Sequence, residues 1–197
     1  MFLDELQEIH LSALQEIGNI GAGNAASALA RMLNRRISMT VPHSGIIPLE
    51  DTFKLVGKED DLVSCVNFLM SGDVEGNILF LLKESSTNKL LSMLLPDLSD
   101  ESMVESTLHE IGNILTGNFL TALNQFTALN INRSVPALSF DMLGAVLSAA
   151  LLEGGHFADK VLIIETEFYI EGNVLRGHFF LIPTEKALLR ILKALGL

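Results

Sequence analysis

The chain has one cysteine, Cys65, in 197 residues. No disulfide can form within it, which excludes an extracellular scaffold held by internal cross-links. Basic residues are scarce: 13 Lys and Arg stand against 24 Asp and Glu, a net charge of −11. Phosphate-rich surfaces demand clustered Lys and Arg, so this balance argues against nucleic acid and anionic membrane as partners. Long apolar runs are missing too. The longest, Met142 to Leu152, is interrupted by Gly144 and Ser148 and is too short to cross a bilayer. The first ten residues, MFLDELQEIH, are acidic where a secretion signal is basic, and no apolar signal segment follows. These absences predict a cytoplasmic protein with no membrane insertion and no bound nucleic acid. Signatures of cofactor chemistry are lacking as well. There is no P-loop, and the GAGN at 21–24 follows a helical pattern rather than the strand a dinucleotide fingerprint needs. His10, His43, His109, His156 and His178 show no metal-ligand spacing.

What is present is apolar substance and a repeat. Apolar residues make up 49% of the chain, ample for a core. Residues 14–29 read LQEIGNIGAGNAASAL and residues 108–123 read LHEIGNILTGNFLTAL, identical at 10 of 16 positions with a constant offset of 94. The chain is read as one domain, 1–197, built of two repeats, about 1–97 and 98–197.

Each half shows the same order of elements. Residues 2–33 read as a long helix, with apolar residues at helical spacing from Leu3 to Leu33. Gly18, Gly21 and Gly23 each lower its helix propensity by about 1 kcal/mol relative to Ala. Close approach of another element, or of a ligand, is the expected reason for all three. A short strand, Ile37–Val41, is expected to stop at Pro42, with another extended piece within 45–57. Strands at 62–70 and 74–83 flank a turn, and a helix runs over 85–95. After an acidic joint at 97–101 come a helix over about 101–128, a short strand around Ile131, and an apolar helix at 141–153. Asp141 is expected to cap that helix, with Gly154-Gly155 closing it. A hairpin follows, 161–170 with 174–183, and then a helix over 184–195. Hairpins imply antiparallel pairing, so the fold class is α+β: an internally duplicated, pseudo-two-fold antiparallel sheet covered by long helices.

The repeat also duplicates a polar face. Ser12, Glu16 and Asn19 lie four and three residues apart, which puts them on one side of a helix. Ser106, Glu110 and Asn113 reproduce that spacing, and Pro42 and Pro136 follow the two Asn residues at the same distance. A carboxylate can pair with a cation on a partner. A carboxamide both accepts and donates hydrogen bonds, so it can hold a water molecule in place. One such pair is ordinary on a solvated helix. Two equivalent pairs, each with a matched proline, point to function, because duplicated folding needs would repeat the apolar and glycine positions instead. Asn24 and Asn118 also repeat but lie about 140° around the helix from that face, and are read as structural.

The pattern S-x3-E-x2-N-x22-P, at 12–42 and again at 106–136, resembles the signature of the CheC, CheX and FliY family of chemotaxis phosphatases. The resemblance covers nearly the whole chain, and two intact copies are most similar to the CheC type. It implies dephosphorylation of phosphorylated CheY, the chemotaxis response regulator. By position, Glu16 and Glu110 would bind a Lys of the regulator, and Asn19 and Asn113 would orient the water that attacks the aspartyl phosphate. Ser12, Ser106, Pro42 and Pro136 complete the motif. The protein would have no cofactor of its own, since the Mg2+ would belong to the regulator. The family also implies CheD, a receptor deamidase, as a partner, with the helix expected to begin at Asp141 as its dock. A second reading stays open at this point: an adaptor that binds and regulates CheD with little or no catalysis.

Overall fold

Two long helices lie across a seven-stranded antiparallel sheet. The structure, a computed structural model, describes residues 8–48, 51–153 and 160–196. In chain order the elements are α1 (Glu8–Leu33), β1 (Ile37–Pro48), α2 (Thr52–Val56), β2 (Leu62–Gly72), β3 (Gly76–Lys83), α3 (Glu84–Leu94), α4 (Glu101–Thr127), β4 (Ile131–Arg133), β5 (Ala137–Met142), α5 (Leu143–Glu153), β6 (Lys160–Ile170), β7 (Asn173–Pro183) and α6 (Glu185–Ala194). The α+β reading holds.

Local chemistry explains the boundaries. The Asp100 side chain accepts from the Met103 amide and starts α4, and Thr184 accepts from the Ala187 amide and starts α6. The β6–β7 hairpin turns through Glu171 and Gly172, with φ of 48° and 83°. Two successive positive φ values make the turn whose twist suits a two-residue hairpin, and glycine takes the second without strain. β3 reads GNILFLLK and is buried on both faces, as a central strand must be.

The sheet order is β1-β6-β7-β3-β2-β4, with β5 also paired to β2. Segment 131–142, holding β4 and β5, is segment 37–48 shifted by 94, so together they are the counterpart of β1. The order then reads edge, hairpin, hairpin, edge, with a pseudo-two-fold axis between β7 and β3. The edges are exchanged. β1 from the first half pairs with β6 of the second, and β4 and β5 from the second half pair with β2 of the first. One face of the sheet carries α1, α3, α4 and α6 over a core that includes Phe68, Phe80, Phe168 and Phe179. The other carries α2 and α5 over Cys65, Leu79, Leu81 and Phe180.

Four expectations change. β1 does not stop at Pro42 but continues to Pro48, and within 45–57 the extended part ends there, with α2 following. β5 was not anticipated. Its residues are mostly exposed and give no alternating apolar signal. Asp141 therefore lies near the end of a strand and does not cap α5, which begins at Leu143. Backbone carbonyls serve instead: the Leu143 amide donates to Asp61 O at 2.9 Å and the Gly144 amide to Glu59 O at 3.0 Å. Residues 2–7 of the first expected helix and Gly154-Gly155 lie outside the described residues.

Candidate functional site on two crossing helices

α1 and α4 pack against each other at Gly21. A Cβ there would sit 2.9 Å from the Phe119 Cα, closer than real Cβ atoms come to a backbone. At Gly112 a Cβ would lie 2.6 Å from Val66 Cγ1, so that glycine lets α4 rest on β2. Gly23 differs: nothing lies within 4 Å, and close packing does not explain it. Leu14, Ile17, Ala22, Ala25 and Leu29 bury the inner stripe of α1, while Leu108, Ile111, Leu115 and Phe119 bury that of α4. The opposite stripes must then face outwards. Ser12, Glu16 and Asn19 are exposed on α1. Ser106 and Glu110 are exposed on α4, and Asn113 is half-buried.

The matched prolines mark matched irregularities in the edge strands. In β1, Thr40 pairs with Glu167 and His43 with Glu165, so Val41 and Pro42 together oppose Thr166. In the second copy, Arg133 pairs with Met70 and Ala137 with Asn67. Ser134, Val135 and Pro136 thus oppose only Leu69 and Phe68. Each edge strand gains one residue over its partner at the proline. A bulge tolerates proline because the extra residue needs no ladder bond.

Each bulge is tied to the helix beside it through the Asn of the motif. The Val41 amide donates to Asn19 Oδ1 at 3.3 Å, and Gln15 Nε2 donates to Val41 O at 3.3 Å. In the second copy Val135 is 85% exposed, against 5% for Val41. Ser134 pairs with Leu69 instead, through Ser134 N to Leu69 O at 2.9 Å and Leu69 N to Ser134 Oγ at 3.0 Å. The donor to Asn113 Oδ1 is Nη1 of Arg133, at 2.5 Å. In both copies a donor from the edge strand fixes the carboxamide oxygen, and the NH2 is the end left to act. Asn118 Nδ2 donates to Ile114 O of its own helix at 2.7 Å, a structural role.

Two features were not read from the sequence. Gln15 helps hold the first bulge. Arg133 stands three residues before Pro136 where the first copy has Met39, and that departure from the repeat was the available signal. Among the described residues no cluster of three His, Cys, Asp or Glu side chains could hold a metal ion, and no helix is long and apolar enough to cross a membrane. Asp141 is exposed and borders a cavity of about 240 Å³ together with Leu62, Leu98, Phe140 and Val104, the last of them on α4 two residues before Ser106.

The CheC-like family model matches twice, at residues 9–46 and 103–140. Each match encloses one complete Ser, Glu, Asn and Pro set, and the two are themselves 94 residues apart. A protein of Bacillus subtilis named CheY-P phosphatase CheC is 34% identical over 200 residues, spanning 97% of this chain and 96% of that one. The chain belongs to the CheC-like family. Among solved structures, Thermotoga maritima FliY shares the CheC-like fold with a TM-score of 0.78 at 18% identity, covering 98% of both chains. The FliM middle domain of H. pylori has a TM-score of 0.66 at 11% identity, covering 96% of this chain and 99% of its own. At such identities the likeness is one of fold.

Proposed function

We propose that this CheC-like protein is a hydrolase that removes the phosphoryl group from the aspartyl phosphate of phosphorylated CheY. Glu16 and Glu110 pair with a Lys of the regulator. Asn19 and Asn113 enter its active site and position a water. The water oxygen bonds to phosphorus, the bond from phosphorus to the aspartate oxygen breaks, and the carboxylate leaves with its electron pair. The Mg2+ at that site is the regulator's, and the reaction takes place in the cytoplasm.

The observation that carries this reading is the pair of carboxamides, each presented on an outward helix stripe with its oxygen fixed by an edge-strand donor. A fixed amide has one orientation, and positioning supplies most of phosphoryl-transfer catalysis. An acyl phosphate is already activated, so a ~100-fold acceleration requires only about 2.7 kcal/mol. The similarity to the Bacillus subtilis phosphatase over nearly its full length supports the same activity.

Replacing Asn19 and Asn113 together by Ala should abolish phosphate release from phosphorylated CheY and leave the circular dichroism spectrum unchanged. Full activity in that variant would overturn the mechanism. CheD is a second partner in this proposal, docking on the surface around Asp141. Exposed Leu62, Phe140 and Met142 support an apolar contact there. Titration calorimetry with Phe140→Asp should show weakened CheD binding, and unaltered binding would place the dock elsewhere.

A further inference from the structure

We infer that Arg133 is a positioning residue for Asn113, and that it makes the second site, at 106–136, the faster of the two. The inference rests on the phosphatase reading above and concerns a difference between the copies that the shared motif does not contain.

The two carboxamides are held by different chemistry. Asn19 Oδ1 accepts from a neutral backbone amide at 3.3 Å, whereas Asn113 Oδ1 accepts from a guanidinium at 2.5 Å. A charge-assisted bond is shorter and roughly twice as strong as a neutral one. It holds the amide plane more firmly. It also draws electron density towards the oxygen, which makes the NH2 at the other end a better donor to a water or a phosphoryl oxygen.

Arg133 is itself well placed to do this. Its Cζ lies 5.1 Å from the centroid of the Phe68 ring, a cation–π contact with a side chain that is fully buried. The guanidinium also runs along α4, where a Cβ on Gly117 would sit 3.6 Å from Nη2. Among the described residues no carboxylate stands within ion-pair distance of it. Among those residues its positive charge has no acidic partner, in a chain with net charge −11.

The reason for an arginine here lies in the bulge. In the first copy the strand turns Val41 inwards, so its backbone amide reaches Asn19. In the second copy Ser134 is paired to Leu69, and Val135 is turned out to solvent. The backbone donor is lost, and Arg133 replaces it. Met39, the counterpart of Arg133, has no donor to offer and is not needed for one.

The test isolates the second site in an Asn19→Ala background and measures phosphate release from phosphorylated CheY over a range of regulator concentrations. Asn19→Ala removes the first site's share and should lower the activity by less than Asn113→Ala does. Adding Arg133→Met should lower kcat about tenfold with KM unchanged, because the water is still bound but poorly aimed. Arg133→Lys, which keeps a charged donor for the carboxamide oxygen but loses the planar fork, should recover part of that loss. A residue that only supports the fold would not be rescued in this way. Should the Met variant unfold, Arg133→Gln repeats the measurement with a planar head that can still lie on Phe68. The inference is overturned if the added substitution leaves kcat unaltered, if KM rises instead, or if Asn19→Ala alone removes the activity. Persistence of activity in the Asn19→Ala/Asn113→Ala protein is a separate result, which would sink the phosphatase mechanism itself.

Discussion

Replacing Gly21 by Ala tests whether the two site-bearing helices touch as closely as described, with Gly23→Ala as a control two residues away on the same helix. Both substitutions remove the same conformational freedom from the unfolded chain, and each gains up to about 1 kcal/mol of helix propensity. At Gly23 nothing lies within 4 Å of the new methyl group, so that gain should appear in full. At Gly21 the methyl meets the Phe119 Cα at 2.9 Å, and the Phe119 Cβ and Cδ2 at 3.5 Å each. The Cα is backbone and cannot rotate aside. Restoring an ordinary contact of 3.4 Å requires the helices to part by 0.5 Å. Overpacking of a tight interface costs about 1–3 kcal/mol, which offsets the propensity gain and more. The two variants should therefore differ by about 1–3 kcal/mol, with Gly23→Ala above the parent and Gly21→Ala below it. For a chain of this size that is a gap of roughly 2–12 °C in melting temperature. Urea denaturation followed by circular dichroism gives the same quantity at constant temperature. If Gly21→Ala proves as stabilising as Gly23→Ala, the two helices do not approach this closely at Gly21.

Burial holds the His178 pKa down to about 4, with the nearby charges of Lys83 and Arg176 adding to the effect, and its Nδ1 has no hydrogen-bond partner among the described residues. The unfolded chain takes up that proton near pH 6.5 and the folded chain only near pH 4. Stability should fall between those values by on the order of 3 kcal/mol, and His178→Leu should flatten this loss in urea titrations at pH 7 and pH 4. An equal loss in both proteins would assign it to other groups. Thr184→Ala removes the side-chain acceptor for the Ala187 amide and should cost about 1 kcal/mol in the same assay, with no change if that cap is dispensable. The Arg35–Glu171 ion pair is solvent-exposed on both sides, so Arg35→Ala should cost under about 1 kcal/mol and less still in high salt.

The Glu/Asn faces were legible because helical geometry is local: residues three apart share a side whatever the tertiary fold. The long helices and both hairpins were legible for the same reason. What failed depended on distant partners. In sequence Pro42 marks a strand end because its missing amide breaks a ladder, but a bulge opposite Thr166 removes the need for that bond. β5 was missed because pairing with β2, not its own pattern, makes Ala137–Met142 a strand. Asp141 resembled a helix cap, yet carbonyls of Asp61 and Glu59 occupy that role. Arg133 sat in view as a departure from the repeat, but its meaning needed the outward turn of Val135. The packing reason for Gly21 and the lack of one for Gly23 could not be told apart by sequence, since both occupy one glycine-rich turn.

The exchanged edges have a consequence for synthesis. Ile37 of β1 pairs with Ile170 of β6, a separation of 170 − 37 = 133 residues. At the usual elongation rate of about 5–20 residues per second, β1 emerges from the ribosome roughly 7–27 s before its partner. For that interval it lacks the strand that satisfies its ladder amides and carbonyls, and is open to pairing with neighbouring nascent chains. Its sequence carries protection suited to the wait. Arg35 and Arg36 stand at its entrance, and Pro42 interrupts any continuous ladder a stray strand could form. The proline that shapes the bulge under Asn19 thus also acts as a gatekeeper against aggregation while the chain is unfinished.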